Sequence, residues 1–189
     1  MKIILVDCED SFTLNIANLI KECQAAVDVI HHQDIETENL SNYHGIVLSP
    51  GPKRPSDIPI LNEIIERFYT SIPILGICLG HQAIGEFFNH SIIRSKEAMH
   101  GIATEIQVGN ETIFEGISNP MMAMRYNSLT VDHQTASPLS IICCDNNDEI
   151  MGLKHRKYPL YSFQFHPESI GTPDGKRLIQ NWLNLIGEQ

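Results

Sequence analysis

Cys78 lies in Gly76-Ile77-Cys78-Leu79-Gly80-His81-Gln82, after an apolar run, Ile72-Pro73-Ile74-Leu75, and before a segment of helical pattern, Ala83-Ile84-Gly85-Glu86-Phe87-Phe88. A strand, a sharp turn and a helix with a thiol at the turn would form a nucleophile elbow. Gly76 and Gly80, two residues to either side, let strand and helix approach closely and tolerate strained dihedrals at Cys78. The N-terminus of the helix that follows offers partial positive charge and free N–H groups, which favour a thiolate and bind a developing oxyanion. The same stretch also suits an inert core cysteine behind a strand, so its reading depends on partners elsewhere in the chain.

A thiol nucleophile needs a base, and the base needs a group that orients it. Of the nine histidines, His31, His32, His44, His90, His100, His133 and His155 lie in or beside turn sequences and are expected in solvent. His81 heads into the helix after Cys78 and is expected to pack there. His166 differs: it ends the run Tyr161-Ser162-Phe163-Gln164-Phe165 and is followed by Pro167-Glu168. Residues two apart at a strand end can face one way, so Glu168 could hold the ring while His166 faces Cys78. An oxyanion hole needs two donors. Leu79 N–H would be one, and the loop Leu48-Ser49-Pro50-Gly51-Pro52-Lys53-Arg54-Pro55 offers the other. Ligands of open α/β sheets bind beyond strand ends such as this. Pro52 has no N–H, which makes Gly51 the better donor. The alternative for the loop is an ordinary Pro-rich turn. Neither G-x-x-x-x-G-K-[ST] nor G-x-G-x-x-G occurs in the chain.

Periodicity supplies the elements that would hold these groups. Residues 3–6 read as a buried parallel strand, and Asp10-Ser11 as the cap of a helix with Phe12, Ile16, Leu19, Ile20 and Cys23 on one face. Strands are expected at 27–30, 45–49 and 72–77. A helix capped by Ser56-Asp57, with Pro59 in its first turn, carries Leu61, Ile64, Ile65 and Phe68. Such alternation implies a parallel sheet with right-handed crossovers. After Asn89 the segments 91–94, 102–108, 121–126, 139–143, 150–153 and 161–165 are short and separated by turn signals, which points to antiparallel or mixed pairing. Thr172-Pro173-Asp174-Gly175 opens a closing helix bearing Leu178, Ile179, Trp182, Leu183 and Ile186. The expected fold is a flavodoxin-like three-layer α/β/α arrangement, with a mostly parallel central sheet and a smaller antiparallel sheet in the second half. With no repeat or linker to divide it, 1–189 is expected to be one domain.

Composition narrows the function classes. Of 189 residues, 42% are hydrophobic and 19% charged, as in an ordinary globular chain. A net charge of −10, with no basic cluster beyond Lys53-Arg54 and 154–157, argues against nucleic acid or an anionic membrane as the main partner. Five cysteines without a C-x-x-C pair argue against a disulfide framework or a cysteine-based zinc site, and for a reducing compartment. Residues 3–6 are too short for a signal-peptide core, and no apolar run reaches bilayer length, so a cytoplasmic location is expected.

Taken together, Leu48-Ser49-Pro50-Gly51-Pro52, Gly76-Ile77-Cys78-Leu79-Gly80-His81-Gln82 and Phe163-Gln164-Phe165-His166-Pro167-Glu168-Ser169 resemble, in that order, the class I (triad) glutamine amidotransferases. Asp10-Ser11-Phe12-Thr13 and Met124-Arg125-Tyr126-Asn127-Ser128-Leu129 are similar to the glutaminase subunits of anthranilate synthase and aminodeoxychorismate synthase. The resemblance implies Cys78 as nucleophile, His166 as base and Glu168 as its orienter. Gly51, Pro52, Lys53, Gln82, Ser128 and Leu129 fall on glutamine-binding positions. It implies L-glutamine as substrate, a glutamyl thioester as intermediate and no metal or organic cofactor. The implied partner, which takes the ammonia, is a chorismate-using synthase subunit.

The chain departs from the family pattern at four positions: Lys53 for a second Gly, Asn127 for His, Ile102 for Lys and Leu14 for Tyr. None touches the triad, and all bear on which partner is served, anthranilate-forming or aminodeoxychorismate-forming. Other readings are a glutaminase module for GMP or carbamoyl phosphate synthesis, a cysteine peptidase or deglycase of similar fold, and a flavodoxin-like binding module in which Cys78 is a core thiol.

Overall fold

The computed structural model describes residues 1–187. The first half alternates strand and helix: β1 (Lys2–Asp7), α1 (Thr13–Glu22), β2 (Ala26–His31), β3 (Gly45–Leu48), α2 (Ile60–Phe68), β4 (Ile74–Ile77) and α3 (Leu79–Phe87). The second half is mostly strand: β5 (Ile92–Arg94), β6 (Ile102–Val108), β7 (Met121–Arg125), β8 (Leu129–Val131), β9 (Leu139–Asp145), β10 (Ile150–His155) and β11 (Leu160–Phe163). It closes with α4 (Gly175–Gly187).

One nine-stranded sheet runs in the order β2-β1-β3-β4-β11-β10-β9-β6-β7, and β5 and β8 form a separate antiparallel pair. Neighbours from β2 through β11 are parallel. From β11 outward they are antiparallel. The parallel core and the small second-half antiparallel sheet are as expected, and the remaining antiparallel strands extend the main sheet instead of forming a layer of their own.

The period of two in β1 sets the layers. Ile3 and Leu5 pack with α1 and α4 residues such as Ile16, Ile20, Leu178 and Trp182. Ile4 and Val6 face α2 and α3 through Leu61, Ile64, Ile65 and Ile84. Each such side chain, fully buried, contributes about 1.5–3 kcal/mol of transfer free energy. Flanking helices on both faces are what make the continuous apolar runs of a parallel sheet stable.

For the active site the decisive strand is β11. It comes from the far end of the chain and lies parallel to β4, pairing Ser162 with Gly76 and Phe163 with Ile77. This register brings the residues that follow Phe163 beside those that follow Ile77.

Several local expectations are corrected. Neither Asp10 nor Ser11 caps α1; Phe12 occupies that position, while Asp10 Oδ1 accepts the Phe12 N–H (2.8 Å) to close the turn before it. Ser56 and Asp57 belong to a separate 3₁₀ turn, and α2 starts later, at Ile60. β4 begins at Ile74, and β8 is a strand the pattern does not reveal. Among the histidines expected in solvent, His32 and His90 are buried. His90 Nδ1 faces the Asp132 carbonyl and Nε2 the Ser137 hydroxyl, both at 2.8 Å, so the ring donates to the first and accepts from the second.

His81 packs as expected. It is fully buried, with Nδ1 2.9 Å from Ser162 Oγ. Burial first, then the nearby His90 ring, pushes its pKa down to about 3. The folded chain therefore refuses a proton that the unfolded chain takes up below its ordinary value of 6.5. Stability should fall as pH drops through the window from about 6.5 to about 3, by about 1.4 kcal/mol per pH unit from this group. Denaturant titrations at about pH 7 and about pH 4.5 measure the slope. It should flatten in His81→Gln, which removes the titrating ring but keeps a polar group for Ser162.

Candidate active site

Cys78 stands at the junction of β4 and α3 with φ 52° and ψ −99°, a conformation that non-glycine residues rarely adopt. Two close approaches enforce it. A Cβ on Gly76 would lie 2.5 Å from the Gly80 carbonyl oxygen, and one on Gly80 would lie 2.4 Å from that of Leu48. Only glycine at both positions lets the helix start directly over β3 and β4. The Cys78 N–H donates to the Phe163 carbonyl (2.8 Å), which carries the β4–β11 pairing one residue further and fixes the turn. Leu79 opens α3, so its N–H has no intrahelical acceptor and is free to serve an oxyanion.

His166 is held from every side. Its N–H donates to the Met124 carbonyl (2.9 Å), and its own carbonyl accepts from Thr172 Oγ1 (2.7 Å). Nδ1 lies 2.6 Å from Glu168 Oε1, and both side chains are almost wholly buried. The rings of Tyr126 and Phe12 pack edge-on against the imidazole, with centroids at 4.9 and 5.9 Å, which excludes water. Nε2 is buried with no hydrogen bond of its own. Burial opposes a charged ring, but the Cys78 sulfur and the Glu168 carboxylate outweigh it and raise the His166 pKa to about 10. The ring therefore favours holding a proton, with Glu168 as its partner at Nδ1.

Gly51, Pro52, Lys53, Cys78, Gln82, Ser128 and Leu129 come together with Tyr126 and Asn127 around one pocket of about 140 Å³. Of the larger hollows, one of about 400 Å³ is lined by Val108 and Phe114, and one of about 530 Å³ shares Ser128 and Leu129 with this pocket; neither is lined by Cys78. Gly51 is wedged against the elbow: a Cβ there would lie 2.5 Å from Leu79 Cδ2 and 2.7 Å from the Cys8 carbonyl oxygen. Lys53 turns its amine to Glu9 Oε2 (2.9 Å) and so contributes backbone, not charge, to the pocket. Ser128 is exposed at the rim. Gln82 Nε2 donates to both the Leu129 carbonyl (3.2 Å) and Gln164 Oε1 (3.1 Å). That leaves Gln82 Oε1 as the atom with which this side chain can meet a ligand.

In the sequence two residues, Gln164 and Arg125, carry no assigned role, and a third, Asn127, only a bearing on the partner. Gln164 is fully buried and its Nε2 lies 3.6 Å from Cys78 Sγ. Arg125 is fully buried between Asp145 Oδ2 (2.5 Å) and Glu149 Oε2 (2.7 Å). Asn127 accepts from Arg125 Nε (3.1 Å) and donates to the Leu129 carbonyl (3.0 Å). The signal was present as an isolated Gln and Arg in apolar strands, residue types that stay buried only when paired. Among the described residues one group has metal-ligand character, Glu9 with His31 and His32. There His31 Nδ1 accepts the Gln33 N–H, which leaves the ring proton on Nε2, the atom facing Glu9. Lys53 is paired with the same carboxylate, so the group is an ion-pair cluster.

A family model described as glutamine amidotransferase class-I matches residues 4–185. The chain belongs to the class I glutamine amidotransferases. It is 38% identical over 191 residues to the aminodeoxychorismate/anthranilate synthase component 2 of Bacillus subtilis, covering 99% of this chain and 98% of that protein. It therefore belongs with the component 2 subunits. It is also 39% identical over 189 residues to the bifunctional protein TrpGD of Thermotoga maritima; there the match covers 97% of this chain but 32% of the relative, about a third of its length. In three dimensions it matches a Thermoplasma acidophilum protein assigned to GMP synthase with a TM-score of 0.90, at 24% identity, over 100% of this chain and 94% of that one. At that identity the likeness speaks for the fold alone. The class I amidotransferase fold explains why the elbow, the strand-end histidine and the Pro-Gly-Pro loop converge, since all three lie beyond the carboxyl ends of parallel strands.

For this amidotransferase the packing at Gly51 makes a sharp expectation. Gly51→Ala forces its methyl into Leu79 and Cys8, an overpacking of about 1–3 kcal/mol, and pushes the loop off the elbow. Glutamine turnover should fall at least tenfold while the chain remains folded, read by glutamate release and a thermal melt. Wild-type turnover in that variant would show that the loop does not have to sit against the elbow.

Proposed function

We propose that the chain hydrolyses L-glutamine to glutamate and ammonia at Cys78 and hands the ammonia to a chorismate-using synthase subunit. The observation that carries this reading is the convergence of a strained elbow thiol, a proton-holding His166 braced by Glu168, and a small polar pocket on one side of the sulfur. The Cys78 sulfur attacks the side-chain amide carbon, and the carbonyl electrons move onto oxygen, facing the N–H groups of Leu79 and Gly51. His166 gives its proton to the departing nitrogen, ammonia leaves, and a glutamyl thioester remains. His166 then takes a proton from water as the oxygen attacks the thioester. Collapse releases glutamate and the sulfur. Each oxyanion donor is worth about 3–4 kcal/mol in such a step. The reaction as written needs no metal or organic cofactor.

The partner follows from the relatives' designation as component 2. Exposed apolar side chains support a docking face beside the site: Leu14 just after Phe12, Ile102 paired with Arg125, and Ile170 just after the His166 segment. In this reading 1–189 acts as one glutaminase unit. A cytoplasmic setting fits five free cysteines, and no helix among the described residues is long and apolar enough to cross a membrane. The Pro-flanked Gly51 peptide can change orientation between two rigid neighbours, so docking of the synthase is expected to raise the rate about a hundredfold by completing the oxyanion hole.

Glutamate release by the purified chain, with and without the chorismate-using partner, tests the assignment. Cys78→Ser should abolish it while ammonia-dependent synthesis by the partner continues. Glutamine hydrolysis near the wild-type rate in Cys78→Ser would refute the nucleophile. His166→Ala should lose more activity than Glu168→Gln, because packing by Tyr126 and Phe12 partly replaces an orienter but not a base.

A further inference from the structure

We propose that Gln164 is a further catalytic residue, whose side-chain amide donates to the Cys78 sulfur and is aimed there by Gln82, itself fixed by the Leu129 carbonyl, on which a second run of hydrogen bonds from Arg125 through Asn127 also ends. The proposal rests on the reading of Cys78 as the nucleophile.

The direction of each bond is fixed by chemistry. Arg125 can only donate, so the Asn127 atom 3.1 Å from its Nε is the amide oxygen. Asn127 Nδ2 then points the other way and donates to the Leu129 carbonyl at 3.0 Å. That carbonyl can only accept, so the Gln82 atom 3.2 Å from it is Nε2. The second proton of the same nitrogen goes to Gln164 at 3.1 Å, which must present its oxygen. Gln164 Nε2 is left facing Cys78 Sγ at 3.6 Å. Reversing any one amide would set donor against donor or acceptor against acceptor somewhere along the chain.

Burial makes the arrangement costly unless it serves a purpose. Arg125, Asn127, Gln82 and Gln164 are each 5% exposed or less, and Gln164 is fully enclosed. A buried amide costs about 1–3 kcal/mol if unpaired, and an apolar side chain of the same length would fill the space without that liability. The backbone adds the second half of the argument. The Phe163 carbonyl accepts the Cys78 N–H, so Gln164, the residue directly after β11, adjoins the nucleophile. Its own N–H is held by the Met151 carbonyl at 3.0 Å. Side chain and main chain are therefore both fixed relative to the sulfur. A hydrogen bond to an ionised acceptor is about twice as strong as one to a neutral acceptor. The amide thus favours the sulfur when it carries negative charge, before attack and again as the thioester breaks. His166 and Gln164 divide the work: one exchanges the proton and the other stabilises the charge left behind.

The test uses Gln164→Met, which keeps length and shape without a donor, and Gln164→Glu, which keeps the acceptor for Gln82 but places a carboxylate against the sulfur. Iodoacetamide alkylation of Cys78 is followed from about pH 5.5 to about pH 9, alongside kcat and KM for glutamine and a thermal melt. Gln164→Met should slow alkylation about tenfold near neutral pH, with the profile displaced to higher pH and convergence with wild type at the alkaline end. Gln164→Glu should displace it further. kcat should fall with the alkylation rate while KM changes little. An unchanged alkylation profile in either folded variant would overturn the proposal, as would loss of kcat without any change in alkylation, which a packing role alone would give. If Cys78 alkylates but glutamine is never hydrolysed, the proposed function fails while the alkylation comparison still decides the role of Gln164.

Discussion

The close approach of α3 to the ends of β3 and β4 is the constraint on which the site depends. With two hypothetical Cβ atoms at 2.4 and 2.5 Å from backbone oxygens, the helix cannot begin where it does unless positions 76 and 80 are glycine. That approach places Cys78 at positive φ, a strain on the order of 1–3 kcal/mol. Burial of Leu79, Ala83 and Ile84 under the first turns of α3 offsets it, together with the Cys78–Phe163 main-chain bond. The strain is held because surrounding packing leaves the turn no other shape. It leaves the thiol at a helix N-terminus and facing a pocket instead of the core.

A second layer of the design is the position of β11 at the seam between the parallel and antiparallel halves of the sheet. Strands on one side of the seam supply the elbow and the loop at Gly51. Strands on the other supply the Arg125 ion-pair group, the Asn127 turn and the Met124 carbonyl that holds His166. The seam is where both reach the sulfur. Arg125 with Asp145 and Glu149 is wholly removed from solvent, and such groups seldom add net stability over an apolar replacement, although breaking one is strongly destabilising. Their value here is directional. An arginine that can only donate sets the sense of the Asn127 amide, and the Leu129 carbonyl, which can only accept, sets that of Gln82 and through it Gln164.

Much of the site was legible in the sequence because its chemistry is local. Glycines two residues to either side of a cysteine, a histidine two residues before a glutamate at a strand end, and a glycine between prolines each state a backbone requirement within a few residues. The structure sets the first and the last on one pocket, with the His166–Glu168 pair buried beside Tyr126, which lines it. Helix caps were less legible. Asp10 and Ser56-Asp57 have the right side chains, but they close turns ahead of the helices, because the strand ends at Asp7 and Leu48 decide where the chain is released. The burial of His90 was invisible, since a turn-like sequence does not say that Asp132 and Ser137 will return to satisfy both ring nitrogens.

Alternation and apolar runs in the sequence determined which side chains face inward and which residue types could react. They did not determine strand order. Period-two patterning says which face of a sheet a residue occupies and nothing about which strand lies beside it, since any apolar strand can pair with any other at similar gain. Only the tertiary structure decided that β11 lies against β4, and with that choice came the adjacency of Gln164 and His166 to Cys78. The hydrogen-bond network between Arg125 and Cys78 is a further step removed. It joins residues 78, 82, 125, 127, 129 and 164 through bonds that exist only after separate segments have packed, so their order along the chain carries no trace of it.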